Sequence, residues 1–146
     1  MFERYTERAR RSLFFARFAV TEFGGEVIEV SHLLMGLVRC DRGWWGELLA
    51  PAHDVAAIEV RLGEIQPGGT KVSTSVEIPF SGAVKDILKG SAAEADARGS
   101  RDVRPIHMLL ALIAHAEGEA VCRKAGIDVH AVRAAAPSGS VVRPVA

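Results

Sequence analysis

Cysteine is scarce. The chain has two in 146 residues, Cys40 and Cys122, and they form no C-x-x-C pair. That excludes a zinc knuckle or a dithiol redox motif. An excess of either charge is also missing, with 18 Lys and Arg against 18 Asp and Glu. A net charge of zero argues against bulk electrostatic binding to nucleic acid or to an anionic membrane, and leaves only a local patch. No uncharged apolar run reaches the ~18 residues of a membrane-spanning helix. The opening, Met1 to Arg11, is charged and amphipathic, without the apolar stretch and cleavage site of a signal peptide. A cytoplasmic protein with both thiols reduced is the expectation. What is present is an ordinary globular balance, 49% hydrophobic and 25% charged, in a chain of one-domain length.

The chain repeats itself. His32-Leu33-Leu34-Met35-Gly36-Leu37 and His107-Met108-Leu109-Leu110-Ala111-Leu112 share one pattern, 75 residues apart, and Tyr5-Thr6 and Phe80-Ser81 share the same offset. Asp54-Val55 returns as Asp128-Val129 at an offset of 74, which implies a one-residue indel. A fixed offset marks two copies of one structural unit. The expected organisation is a domain over 1–136, made of repeat one (2–65), a connector (66–76) and repeat two (77–136), followed by a flexible tail (137–146). The tail is either a true C-terminus or the start of a linker.

Tyr5, Ala9, Leu13, Ala16 and Val20 step at helical spacing, and 75 residues on so do Phe80, Val84, Leu88, Ser91 and Ala95. Gly24-Gly25 and Gly99 stop these helices. Ser31 is placed to cap the next helix, and Pro105 suits the first turn of its counterpart. Short third helices are expected over about 43–50 and 117–125, and fourth helices capped by Asp54 and Asp128. The predicted fold class is all-α, two tandem four-helix repeats, eight helices, with pseudo-twofold symmetry. Only Val72 to Ile78 could be extended.

The opening Met1-Phe2-Glu3-Arg4-Tyr5-Thr6-Glu7-Arg8-Ala9-Arg10-Arg11, the Ser31-His32-Leu33-Leu34-Met35-Gly36-Leu37 stretch and Ile78-Pro79-Phe80 resemble the amino-terminal domain of the Clp ATPases, the ClpC and ClpA type, over residues 1–136. The resemblance implies an all-α module with no chemistry of its own and no cofactor or metal. It binds peptides, unfolded proteins or adaptor proteins for an unfoldase whose ATPase modules lie downstream. No G-x-x-x-x-G-K-[ST] run occurs, so this sequence carries no P-loop.

The resemblance also implies ligand positions. A groove between the two first helices takes adaptors and cyclic-peptide antibiotics, and its positions carry over to Phe2, Arg10, Phe80 and Lys85. Two aromatics beside two cations suit a peptide, although Phe2 and Phe80 also fit as staples closing the repeat interface. Lys89, Ala92 and Asp96 stand where the groove is otherwise apolar. Phosphoarginine, a ligand in Gram-positive members, needs a glutamate before each repeat histidine. Here Ser31 and Ile106 take those places, which predicts weak binding. Thr6 and Ser81, with Arg10 and Lys85, remain at the phosphate end, where Thr6 and Ser81 also suit as helix caps, and Tyr5 is counted among the ligand-binding residues.

His32 and His107 are expected to be core histidines, since no third ligand joins them at suitable spacing. His53, His115 and His130 fall near helix ends and are expected to be solvated. Cys40 and Cys122 lack an activating base, so no catalytic residue is assigned. Phe18 either fills space or marks a partner surface together with Phe14, and one of Trp44 and Trp45 should enter the core. The alternative function is a small helical nucleic-acid-binding regulator using Arg8, Arg10, Arg11 and Arg17, but no helix-turn-helix pattern is evident.

Overall fold

Thr6 and Ser81 open the two repeats in the same way. Each hydroxyl accepts the backbone N–H three residues on, from Ala9 at 3.1 Å and from Val84 at 3.2 Å. These caps satisfy donors that the first turn leaves unpaired. They start helix α1 (Glu7–Phe23) and helix α5 (Gly82–Ala97) at equivalent positions. The computed structural model describes residues 2–49, 54–70 and 77–136. The later helices follow in register: α2 (Val30–Cys40) with α6 (Pro105–Ala114), α3 (Arg42–Leu49) with α7 (Ala116–Lys124), and α4 (Val55–Glu64) with α8 (Val129–Ala135). The offset drops from 75 to 74 after the second helix because α6, with 10 residues, is one shorter than α2, with 11. Asp54 and Asp128 cap α4 and α8 through side-chain oxygens, as expected. Among the described residues there are eight helices and no strand, only two isolated bridges.

α2 and α6 form the centre. Leu33, Leu34, Met35, Leu37 and Val38 in α2 are fully buried, as are Met108, Leu109 and Leu112 in α6. A helix that is apolar on all sides belongs inside. α1 lies across α2, and α5 lies across α6. The first pair approaches closely at Gly36, where a Cβ would strike the Ser12 carbonyl and sit 2.6 Å from the Ala16 nitrogen. Gly24 and Gly99 adopt φ of 96° and 69° at the ends of α1 and α5, a region that glycine enters at no steric cost.

Three local expectations are corrected. Ser31 does not cap α2. The N-cap is Glu29, and Ser31 is buried within the first turn. Tyr5 precedes α1 and does not extend its stripe: its ring is buried and its hydroxyl donates to the Leu88 carbonyl of α5 at 3.3 Å. Leu13 is only half-buried, and Ser12 takes the fully buried position, its hydroxyl donating to the Ala9 carbonyl at 2.6 Å. A small residue is needed there because α2 comes so close. The tail, most of the stretch from Val72 to Ile78, and His53 lie outside the described residues.

The repeats exchange their openings. Thr6 N–H donates to the Val103 carbonyl at 3.1 Å, and Val103 N–H donates to the Arg4 carbonyl at 2.9 Å. Its counterpart is Ser81 N–H to the Ile28 carbonyl at 3.0 Å, with Ile28 N–H to the Pro79 carbonyl at 2.8 Å. The start of each first helix is therefore tied to the loop before the other repeat's second helix. Backbone groups that would be costly to bury unpaired are satisfied across the pseudo-twofold axis.

Candidate functional site

The exchange places the first turns of α1 beside the start of α6, and a groove of about 720 Å³ opens between them. Thr6, Glu7, Arg8 and Arg11 come from α1, and Arg104, Pro105 and Ile106 from the start of α6. Trp44 and Leu48 of α3 and Ala135 of α8 complete its walls. Both repeats contribute, so neither alone could form it.

Asp41 organises the α3 side. One carboxylate oxygen accepts the Trp44 N–H at 3.0 Å, and the other pairs with Arg8 at 3.0 Å. Trp45 is wholly buried and donates its indole N–H to the Leu37 carbonyl at 2.9 Å. Trp44 lies edge-on to it, with ring centroids 5.8 Å apart, and is left half-buried at the groove. One tryptophan thus anchors α3 while the other offers apolar surface. Arg11 lies 3.7 Å from Glu7, a loose exposed pair. Arg104 is exposed and forms no ion pair among the described residues. The groove combines an apolar base with a cationic rim, a surface suited to a peptide.

The seven residues singled out in the sequence fall in two places. Phe2, Tyr5 and Phe80 meet in one aromatic seam, with Phe2 edge-on to Tyr5 at 5.0 Å and to Phe80 at 6.1 Å. Arg10 donates to the Phe2 carbonyl at 3.1 Å and holds the opening segment against α1. Lys85 is exposed on α5. Thr6 lies in the groove and Ser81 at the equivalent position of the other repeat, and both hydroxyls serve as caps. Because of the exchange, Thr6 lines the same groove as Ile106, while Ser81 is tied to the loop that leads to Ser31.

The candidate chemical groups are held inert. His32 and His107 are buried, and each Nδ1 accepts the N–H of its helix's N-cap residue, Glu29 or Arg104, at 2.9 Å. Burial pushes His32 down to about 4 and lowers His107 as well, so both are neutral at pH 7. Burial also raises the thiols, Cys40 to about 11 and Cys122 to about 12, far from a reactive thiolate. Among the described residues no three His, Cys, Asp or Glu side chains converge as a metal site. His115 lies at the start of α7, as expected, where it is partly exposed and caps the helix through Nδ1, which accepts from Glu117 N–H at 3.2 Å. His130 is exposed. Phe14 and Phe18 are 61% and 44% exposed, which settles Phe18 as a surface residue. Sequence spacing did not single out Leu48, Arg104, Pro105 or Ala135 as ligand residues, because they come together only through the packing of four helices. No helix among the described residues is long and apolar enough to cross a membrane.

Comparison with known proteins agrees with this architecture. A family model described as the Clp repeat (R) N-terminal domain matches residues 4–119 and 79–138. The chain is 30% identical over 115 residues to the chloroplastic chaperone protein ClpD2 of Oryza sativa subsp. japonica, covering 77% of this chain and 12% of that protein. It is 29% identical over 137 residues to the ATP-dependent Clp protease ATP-binding subunit ClpA homolog of Porphyra purpurea, covering 92% of this chain and 17% of that protein. It therefore spans less than a fifth of these relatives. Its fold is similar to the N-terminal domain of the chaperone ClpD of Arabidopsis thaliana, with a TM-score of 0.74, 24% identity, and 92% and 93% of the two chains covered. The Hsp104 N-terminal domain of Candida albicans gives a TM-score of 0.77 at 16% identity, covering 91% of this chain and 89% of that one.

Proposed function

Since the chain belongs to the Clp N-terminal repeat family, we propose that it is a non-catalytic recognition module for peptides, unfolded proteins or adaptor proteins of a Clp unfoldase–protease system, acting in the cytoplasm. The observation that carries this is the groove shared by α1, α3, α6 and α8. It sets Trp44, Leu48, Pro105 and Ile106 beside Arg8, Arg11 and Arg104. Such a surface can bury a side chain and hold a backbone or a charge, yet no activated nucleophile faces it. The seam of Phe2, Tyr5 and Phe80, with Arg10 and Lys85 nearby, is proposed as a second contact region for adaptors or cyclic peptides. Thr6 and Ser81 are proposed to mark the edges of the two ligand regions.

The test is fluorescence polarisation with a panel of labelled unstructured peptides of varied charge, followed by amide-shift mapping. Shifts at Trp44, Ile106, Phe2 or Phe80 are expected. Absence of binding to every peptide at about 1 mM, where affinity has fallen to roughly 4 kcal/mol, would remove this function. Retardation of DNA that falls steeply with salt, without peptide binding, would favour the nucleic-acid regulator.

A further inference from the structure

The two repeats are alike in backbone but differ in charge at the positions that line this groove. Arg104 is the N-cap of α6, and its equivalent 75 residues earlier, the N-cap of α2, is Glu29. Arg11 of α1 corresponds to Asp86 of α5, and Arg8 corresponds to Ala83. All three cations of the groove are thus replaced by acidic or apolar residues at the pseudo-symmetric site. The wall differs too: Trp44 and Leu48 of α3 correspond to Gly118 and Cys122 of α7, and Ala135 of α8 corresponds to Arg61 of α4, the one cation that the equivalent positions gain. A protein of zero net charge therefore carries one specialised basic and aromatic groove.

From this asymmetry we infer that the groove between α1, α3, α6 and α8 selects an extended acidic peptide segment that carries an apolar side chain. The inference rests on the peptide-binding function proposed above and names its ligand class. Glu7 is the one carboxylate among the groove's lining residues, and Asp41 already offsets Arg8 from the α3 side. Arg11 is held only loosely by Glu7 and Arg104 by no ion pair among the described residues, so these two guanidinium groups are the ones that can pair with peptide carboxylates. Ile106 supplies no carboxylate for a cationic ligand. Trp44, Leu48 and Ile106 give an apolar residue a place to bury beside them. Charge on the rim sets which peptide is chosen, and the apolar base supplies contact common to all.

The experiment compares three labelled peptides identical except at their charged positions, which are Glu, Gln or Lys, each retaining one Leu and one Phe. Binding is read by polarisation and by the emission shift of Trp44, with Trp44→Phe as the control for Trp45. The Glu peptide should bind roughly tenfold or more tightly than the Gln peptide, and the Lys peptide more weakly than either. Its affinity should fall as salt rises. Arg104→Glu and Arg11→Asp install the other repeat's residues at exposed positions, and circular dichroism checks that both variants fold. Each should cut Glu-peptide affinity roughly tenfold and reduce Gln-peptide affinity by a smaller factor, so that the preference for Glu over Gln shrinks. Equal affinity for all three peptides overturns the acidic selectivity and leaves peptide recognition standing. Failure of all three to bind overturns both. A single-stranded oligonucleotide that displaces the Glu peptide more effectively than unlabelled Glu peptide would also overturn it. So would concentration-dependent self-association that Arg104→Glu abolishes, since a second copy's acidic face would then be the occupant.

Discussion

His32 accepts the backbone N–H of Glu29 through Nδ1 at 2.9 Å, although it is fully buried. The imidazole closes the first turn of α2 just as His107 closes that of α6. A proton on Nδ1 would abolish this acceptor. The folded-state value of about 4 lies below the ordinary 6.5, so the unfolded chain binds the proton first. Stability is therefore complete above about pH 6.5 and declines as pH falls from there to 4, with no further loss from this group below. His107 is shifted in the same direction and adds to the slope. Urea denaturation between pH 7 and 4 should show this decline. His32→Asn should flatten it while lowering stability at pH 7.

Trp45 joins α3 to α2 through one hydrogen bond and complete burial. Trp45→Phe removes the donor to the Leu37 carbonyl and should cost about 1–3 kcal/mol. Trp45→Ala also leaves a cavity and should cost about 3–5 kcal/mol. Trp44→Phe should change stability far less, because Trp44 is half-buried. Chemical denaturation followed by circular dichroism separates the three.

Two glycines test the closeness of helix packing. A methyl group at Gly36 would strike the Ser12 carbonyl, and one at Gly118 would strike the Leu112 carbonyl. Backbone cannot yield as a side-chain end can, so Gly36→Ala and Gly118→Ala should each destabilise by about 1–3 kcal/mol or more. A Cβ at Gly46, within α3, meets nothing within 4 Å. Gly46→Ala should stabilise by roughly 0.5–1 kcal/mol through helix propensity. Thermal melts of the three variants give the signs directly.

Free phosphoarginine should bind weakly, since the positions expected to pair with its guanidinium are Ser31 and Ile106. Thr6 shares its groove with Ile106, so Ile106→Glu alone should raise the affinity there. It should at the same time weaken an acidic peptide at the same groove. Calorimetry with both ligands checks the opposed effects. Micromolar phosphoarginine binding by the unaltered protein would show that the missing carboxylates do not matter.

The repeat, the helix count and most helix ends were legible because local chemistry sets them. Thr6, Asp54, Ser81 and Asp128 cap through their own side chains, and an apolar spacing near 3.6 residues repeats in both halves. Ser31 misled for the same reason. A serine is a good cap in isolation, but the turn to α2 closes two residues earlier, through His32 and Glu29. Tyr5 misled because its stripe spacing is helical while its hydroxyl is claimed by Leu88 of the other repeat.

What the amino-acid sequence determined by itself is the all-α double repeat and the family it belongs to, since periodicity, capping and the 75-residue offset are properties of short stretches read in order. What only the tertiary structure decided is where the two copies meet. The pairing of Tyr5 with Val103, and of Phe80 with Ile28, crosses the repeats and joins residues far apart in the chain. Backbone hydrogen bonds carry no side-chain signature, so that crossing leaves no mark in the residue order. It is the crossing that brings Arg8 and Arg11 of one repeat to the same groove as Arg104 of the other.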